Sequence, residues 1–130
     1  AQFPQPVLGG AGEMIGGGSF GWAPAEFTDD TQMTLALAES LLAQGALDLD
    51  DLWARFVAWR QGATDVGIAT SRALSASDRF VAAQNDAASP GRSASNGALM
   101  RTWSIALAYL GHSTEEVMKC SVYPSIHDSL

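Results

Sequence analysis

The sequence predicts an all-α protein, and three of its features lead to that prediction. Apolar residues recur every three or four positions in several stretches, which is the period of an amphipathic helix. Most of these stretches begin at a capping residue or end at a glycine, as helices do. No stretch of convincing length alternates apolar and polar residues as a strand would. We therefore expect one domain over residues 1–130, built as an orthogonal array of about five or six short helices.

Composition supports a packed core and narrows the classes of function. Hydrophobic residues make up 47% of the chain, and four residues are tryptophan. The net charge of −7, with only 7 Lys and Arg residues, argues against binding a nucleic-acid backbone by charge. Cys120 is a lone cysteine, which is typical of a reducing compartment. No run of about 18 apolar residues and no signal-peptide pattern occurs, so we expect a soluble, cytoplasmic protein that does not enter a membrane.

The N-terminal arm, residues 1–25, is rich in glycine and proline and is predicted to be mostly loop. Its first 15 residues are expected to extend from the domain. The glycine run 16–18 is not followed by a Gly-Lys-Ser/Thr pattern or by a strand. A nucleotide-binding P-loop is therefore not expected here.

The first half of the chain contains two strongly patterned helices. The first is predicted over residues 30–44 and ends at Gly45, which suits the left-handed position after a helix. The second opens near Leu49 with Asp50 as its expected cap and stops at Gly62. Its tryptophans are expected to pack against neighbouring helices and not to stack on a ligand.

Shorter helices follow. One is predicted from Ile68 to about Ser75, with Ile68 on its apolar side, and Asp65 before it is either a cap or a site residue. Ser77 and Asp78 are expected to cap a helix of roughly residues 79–85. Residues 88–95 form a polar loop rich in serine, glycine and proline.

The last third of the chain begins with a strongly apolar helix over residues 98–110, stopped by a glycine. The sequence 113–116, Ser-Thr-Glu-Glu, is a capping box for a final helix that is expected to run through about Cys120. The tail after Cys120 has no strong pattern. His112 and His127 are isolated histidines for which we expect no catalytic role.

Two adjacent carboxylates, Asp29 and Asp30, stand where the first helix begins, with Thr28 before them. Helix starts favour carboxylates, and Asp29 with Gln32 forms a passable capping box that needs no chemistry. One cap is enough, however, and a second adjacent carboxylate adds repulsion that a cation would relieve. Hard divalent cations such as Mg²⁺ take carboxylate and hydroxyl oxygens as ligands, so the residues favour either a cap or a metal site.

The run 16–33, which contains Glu-Phe-Thr-Asp-Asp-Thr-Gln-Met, resembles the signature of the ADP-ribosylglycohydrolase family. That family includes the enzyme that reactivates dinitrogenase reductase. A second block, Ser-Asn-Gly-Ala-Leu-Met-Arg at residues 95–101, resembles the family motif Gly/Ser-Asn-Gly-Ala-x-Met-Arg. The two blocks occur in the family order at a family-like distance, and together they are far more specific than either one.

The resemblance implies a hydrolase that removes ADP-ribose from a modified protein or small ADP-ribosyl substrate. It implies Asp29 and Asp30 as catalytic residues that bind Mg²⁺ or Mn²⁺ together with Thr28; the family uses two ions. Water activated by the metal would cleave the glycosidic bond at C1 of the ribose. The resemblance also implies that substrate contacts come from the second block, at Ser95, Asn96, Gly97, Met100 and Arg101.

Family members are longer and carry two further motifs, Gly-Asp-Ala-x-Gly and Asp-x-Asp-Thr, that this sequence lacks. The nearest match to the first motif, residues 10–13, has no aspartate. The chain therefore reads as truncated at both ends. The alternative function is a catalytically inactive module that binds ADP-ribose or another protein. A homodimer is also possible, and it would bring together two copies of the acidic stretch, Asp29 and Asp30.

Overall fold

The computed structural model describes residues 14–18, 21–88 and 97–126, and these residues contain seven α-helical segments. In chain order the segments are α1 (Asp29–Gln44), α2 (Leu49–Gly62), α3 (Ile68–Ala73), α4 (Arg79–Ala87), α5 (Gly97–Arg101), α6 (Trp103–Ala108) and α7 (Thr114–Ile126). Within the described part of the chain the only β-pairing is an isolated bridge between Gly17 and Trp22. The all-α prediction is confirmed, and the described residues before Thr28 are loop, as expected.

Helix α1 is the central element, because it contacts α2, α5 and α6. Its residues Met33, Leu37 and Leu41 are buried at the spacing of one helix face. The core cluster around that face consists of Met33, Leu37, Leu41, Leu52, Phe56, Leu74 and Ile105. Burying these side chains is the main source of stability for the fold, since about 1.5–3 kcal/mol accompanies each large apolar side chain removed from water.

The two patterned helices of the first half are close to their predicted limits. Gly45 ends α1 in the left-handed region with φ 72°, and its N–H bonds the carbonyl of Leu41, as predicted. The prediction of Asp50 as the cap of α2 is wrong. Asp48 is the N-cap, and its Oδ1 accepts the backbone N–H groups of Asp50 and Asp51, each at 3.0 Å.

Two predicted helices differ from the observed ones in length. Helix α3 ends at Ala73, and Ile68 is exposed where an inward side chain was expected; Leu74, just after the helix, is buried. Helix α7 begins with the predicted capping box, in which Ser113 and Glu116 exchange hydrogen bonds. It continues to Ile126, beyond the predicted end near Cys120.

The predicted single helix over 98–110 is interrupted at Thr102, which separates α5 from α6. The Thr102 hydroxyl donates to the carbonyl of Leu99 at 2.9 Å, and its backbone N–H bonds the same carbonyl at 3.2 Å. This bond spans three residues where an α-helix spans four, so the chain tightens for one turn. Counted as one bent helix, α5 and α6 bring the described total to the predicted number.

An open apolar groove of about 550 Å³ lies between the C-terminal half of α1 and α6. Its lining includes Leu42, Trp103 and Leu107, which are all exposed. At the same end of the molecule, the backbone N–H of Leu47 donates to the Tyr109 hydroxyl at 3.1 Å. That bond ties the loop between α1 and α2 to the end of α6. Among the described helices, none combines the length and the apolar character required to cross a membrane.

Replacing Leu37 with alanine is expected to lower the free energy of unfolding by about 2–5 kcal/mol, because it leaves a cavity in the core. Leu37 is 0% exposed, whereas Leu42 on the same helix is 85% exposed. The matched control Leu42→Ala should change stability by less than about 0.5 kcal/mol. Urea unfolding measures both values, and equal losses in the two variants would contradict the assignment of the core.

Acid should weaken the cap of α4. The pKa of Asp78 is lowered chiefly by the backbone N–H of Val81, with the Ser77 hydroxyl and the Phe80 N–H adding to the effect. Since folding lowers this pKa, the contribution to stability is complete above the ordinary value of 3.8 and is lost as pH falls through the lower folded-state value.

The measurement is urea unfolding of the wild-type chain and of Asp78→Asn between neutral pH and about pH 3. The asparagine keeps a capping oxygen but cannot ionise, so the stability difference between the two proteins should shrink as pH falls. A difference that stays constant with pH would show that the charge of Asp78 contributes nothing.

Candidate active site

The start of α1 is not closed by the capping box that the sequence suggested. Thr28 is the N-cap, and its side chain makes no capping hydrogen bond. Asp29 Oδ1 accepts only the adjacent N–H of Asp30, at 3.1 Å, and Gln32 turns its side chain elsewhere. The box of Asp29 with Gln32 is therefore wrong. Asp29 and Asp30 stand in the first turn, where the helix dipole favours negative charge, but neither they nor Thr28 close a capping box.

The two carboxylates lie on different sides of the helix start. Asp30 lines an open groove of about 470 Å³ together with Thr28 and Glu26. Asp29 does not line this groove; its Oδ2 would lie 3.8 Å from a Cβ placed on Gly67, just before α3. Adjacent residues at a helix start point in different directions, which gives each carboxylate its own surroundings.

The opposite wall of the groove is the glycine-rich approach. Gly17 and Trp22 are joined by two backbone hydrogen bonds, of 2.7 and 3.0 Å, which fold the segment into a tight hairpin. Gly16 has φ 74°, and a Cβ there would lie 2.5 Å from the Trp22 carbonyl oxygen. Only glycine fits at this position. Any other residue at position 16 would push the backbone at Trp22 away and change this wall of the groove.

A tight turn, residues 23–26, connects the hairpin to the acidic stretch. The Ala23 N–H donates to Glu26 Oε2 at 2.6 Å, and the Glu26 N–H donates to the Ala23 carbonyl at 3.0 Å. Ala25 has φ 61°, the one non-glycine residue with positive φ in the described chain. Proline followed by a residue of positive φ is the arrangement of a type II turn, in which glycine is preferred at the position of Ala25.

The two sequence blocks meet through Thr34. This buried threonine donates its hydroxyl to the Asp30 carbonyl at 2.7 Å, and the same oxygen lies 3.4 Å from the Met100 carbonyl. The contact joins the first turns of α1 to α5. The part of the second block that the structure describes therefore lies beside the acidic residues, although 66 positions separate Thr34 from Met100 in sequence.

The residues predicted to contact substrate differ in how deeply they are buried, and the structure describes only three of them. Gly97 opens α5 and Met100 is half-buried, whereas Ser95 and Asn96 lie outside the described residues. Arg101 is 3% exposed, and its guanidinium carbon lies 5.2 Å from the centre of the Phe56 ring. Arg101 is thus part of the interior, and its contact with a substrate stays a prediction.

Hard divalent cations fit the chemistry of the donors at the helix start. Thr28, Asp29 and Asp30 offer only oxygen atoms, the ligand type that Mg²⁺ and Mn²⁺ prefer. Within the described ranges no group of three or more His, Cys, Asp or Glu residues is arranged to hold a metal ion. Three side chains supply few ligand oxygens, so an ion held by them alone would keep most of its coordination sphere as water, as Mg²⁺ readily does.

The other candidates from the sequence occupy separate positions. Asp65 stands two residues before Gly67, the residue beside which Asp29 lies, and a site role for Asp65 stays a prediction. Asp65 precedes α3, but the N-cap of α3 is Gly67, so the capping role for Asp65 is wrong. His112 packs edge-on against Tyr109, with ring centres 5.1 Å apart, beside the groove at the far end of α1. Cys120 is half-buried against the core, and His127 lies outside the described residues.

Sequence reasoning missed three residues that shape the site. Glu26 and Ala25 fix the turn before Phe27, and the signal for that turn was Pro24. Trp59 was expected only to pack, yet its indole N–H donates to Gln32 Oε1 at 2.7 Å. No spacing rule in the sequence pairs a residue of the second helix with the motif of the first.

Comparison with known proteins places this geometry in a family. The model of the ADP-ribosylglycohydrolase family matches residues 2–124. The chain belongs to the ADP-ribosylglycohydrolase family. The acidic stretch and the second block both lie inside the matched range. The family resemblance that these motifs indicated is therefore confirmed.

Three relatives show how far the similarity extends. The chain is 38% identical over 105 residues to ADP-ribosyl-[dinitrogen reductase] glycohydrolase of Rhodospirillum rubrum, covering 79% of this chain and 35% of the relative. It is 41% identical over 70 residues to ADP-ribosylarginine hydrolase Tri1 of Serratia proteamaculans, covering 48% of this chain and 19% of that protein. A solved ADP-ribosylglycohydrolase-related protein complex matches with TM-score 0.68 and 34% identity, over 91% of this chain and 38% of that one.

The chain thus spans about a third of the length of the glycohydrolase from Rhodospirillum rubrum and of the solved relative. Its fold is the family fold over that span.

Ala25→Gly is expected to stabilise the chain by about 1 kcal/mol, because glycine adopts a positive φ without the strain that a Cβ causes. The control is Ala54→Gly, at an exposed position inside α2, which should destabilise by about the same amount. Thermal unfolding of the two variants tests the expected opposite signs. Destabilisation by both glycines would mean that Ala25 is not strained.

Proposed function

We propose that the protein hydrolyses ADP-ribosyl linkages, with Asp29 and Asp30 as the catalytic carboxylates. The observation that carries the proposal is the helix start itself, where Thr28 and two carboxylates make no capping hydrogen bonds beyond their own neighbours. Asp30 faces a groove walled by a glycine hairpin, and Met100 of the second family block contacts Thr34, whose hydroxyl also bonds the Asp30 carbonyl. The names of the relatives, a glycohydrolase and an arginine hydrolase of ADP-ribosyl groups, support this chemistry.

Thr28, Asp29 and Asp30 would hold Mg²⁺ or Mn²⁺, two ions in the form that the family resemblance implies. When bound, such ions orient the ribose hydroxyls and activate the attacking water. The divergence of Asp29 and Asp30 suits this role, because each carboxylate faces different surroundings. With a net charge of −7, the chain needs metal ions or backbone N–H groups to attract the phosphates of the ligand.

The segment 95–97 is proposed to meet the phosphate or ribose of the ligand, because small residues before a helix leave backbone N–H groups free. Substrate contacts of Met100 and Arg101 stay predictions, and both residues also have a structural role. The Met100 carbonyl contacts Thr34 and Arg101 lies over Phe56, so both hold α5 against the core. They fix the position of α5 relative to the carboxylates.

The proposed substrate class is taken from the names of the relatives, and it does not specify one target protein. ADP-ribose attached to a protein or to arginine is the proposed substrate, since the named relatives act on those two kinds of target. A cytoplasmic location and a homodimer that brings two acidic stretches together remain predictions from the sequence.

Calorimetric titration of ADP-ribose into the full chain, with and without Mn²⁺, tests the proposal. We expect binding that requires Mn²⁺ and that Asp29→Ala/Asp30→Ala abolishes. Glu115→Gln, which removes one exposed acidic charge on α7, should leave it unchanged. Mg²⁺ should replace Mn²⁺ with weaker binding, because Mg²⁺ gives up its water ligands reluctantly.

Hydrolysis of ADP-ribosyl-arginine is the second measurement. Asp30→Asn keeps the size of the side chain and removes its charge, and it should abolish metal-dependent turnover, because a neutral amide binds a hard cation less well than a carboxylate does. Full turnover in Asp30→Asn would refute the assigned chemistry. Binding of ADP-ribose that is equal with and without metal, with no turnover, would instead favour the inactive binding module.

A further inference from the structure

We infer that Gln32 and Trp59 form a positioning pair that fixes the backbone beneath the proposed metal ligands. The inference rests on the proposed function, because Thr28, Asp29 and Asp30 are the residues held in place. Gln32 lies on α1, two residues after Asp30, and Trp59 lies near the end of α2. The pair is not expected to touch substrate or metal, so both residues act through the backbone.

Gln32 holds two successive peptide units. Its side-chain Nε2 donates to the Phe27 carbonyl at 2.9 Å, and its backbone N–H donates to the Thr28 carbonyl at 3.0 Å. Thr28 has extended backbone angles, φ −104° and ψ −162°, so the chain turns from extended to helical between these two carbonyls. Gln32 therefore secures both peptide units at the corner from which Asp29 and Asp30 project.

Trp59 decides which way the Gln32 amide points. The indole N–H is a donor only, and it meets Gln32 Oε1 at 2.7 Å. That contact turns the NH₂ group of Gln32 toward the Phe27 carbonyl. A flipped amide would set two donors against each other at Trp59 and two oxygens against each other at Phe27, which loses both bonds.

The pair also couples the site to the core. Both side chains are half-buried, and Trp59 packs against the core cluster together with the neighbouring Trp53. The bond from Trp59 to Gln32 is part-buried, so water competes less well for its groups, whereas the bond from Gln32 to the Phe27 carbonyl is exposed. A displacement of α2 would move the Phe27 carbonyl through two hydrogen bonds, from Trp59 to Gln32 and from Gln32 to Phe27. The packing of α1 on α2 therefore helps to hold the proposed ligands in place.

Three variants separate hydrogen bonding from packing. Trp59→Phe keeps an aromatic ring and removes the indole donor. Trp53→Phe is the matched control, because Trp53 is a half-buried tryptophan of the same helix that lies outside the Gln32 contact. Gln32→Met has a side chain of similar length and adds no charge near the proposed ligands, and it removes the amide group that bonds both Trp59 and the Phe27 carbonyl.

Mn²⁺ affinity of the full chain, measured by calorimetry with the metal alone, is the first readout. Trp59→Phe and Gln32→Met are each expected to weaken Mn²⁺ binding by about 3- to 10-fold, the effect of losing one or two modest hydrogen bonds. Trp53→Phe should stay within about 2-fold of the wild type. Equal affinity in Trp59→Phe and Trp53→Phe would overturn the inference.

The second readout needs no metal. Exchange of the Gln32 backbone N–H with deuterium, followed by NMR, should be at least about 3-fold faster in Trp59→Phe than in Trp53→Phe, since the corner loosens locally. Faster exchange with no Mn²⁺ binding in the wild type would refute the proposed function and leave the positioning pair standing. Unchanged exchange would overturn the pair, whatever the metal does.

Discussion

The burial of one face of α1 is the interaction on which the rest of the structure depends. Met33, Leu37 and Leu41 fill the space between α1 and its neighbours, and Ile105 reaches the same cluster from α6. Interiors of this kind are close-packed and resist small displacements. The acidic stretch begins four residues before Met33 on the same helix. The packing of α1 in the core therefore fixes the position of Asp29 and Asp30.

The candidate site thus lies between α1, which is held by packing, and the turn at Ala25, whose backbone is strained. On one side, α1 is fixed by packing and by the hydroxyl of Thr34, which joins its first turn to α5. On the other side, the glycine hairpin and the turn at Ala25 adopt backbone angles that most residues avoid. Strained backbone next to a candidate site persists only where the surroundings impose it, and here Glu26 and the hairpin bonds do so.

The helices could be predicted because their signals are local. Gly45 closes α1 and Asp78 caps α4 through interactions within four residues, and the family blocks could be recognised as short runs. Interactions between distant residues could not be predicted in this way. The burial of Arg101 and the bond from Trp59 to Gln32 join separate helices, and the break at Thr102 depends on a hydroxyl that also suits an unbroken helix.

The open groove at the far end of α1 affects how this chain can be studied. Leu42, Trp103 and Leu107 give the folded protein an apolar surface that is already accessible to water. Dyes such as ANS report apolar surface and are widely taken as a sign of partial unfolding. For this chain, dye fluorescence is expected from the native state itself, so loss of near-UV circular dichroism, and not a gain in dye signal, is the criterion for loosened packing.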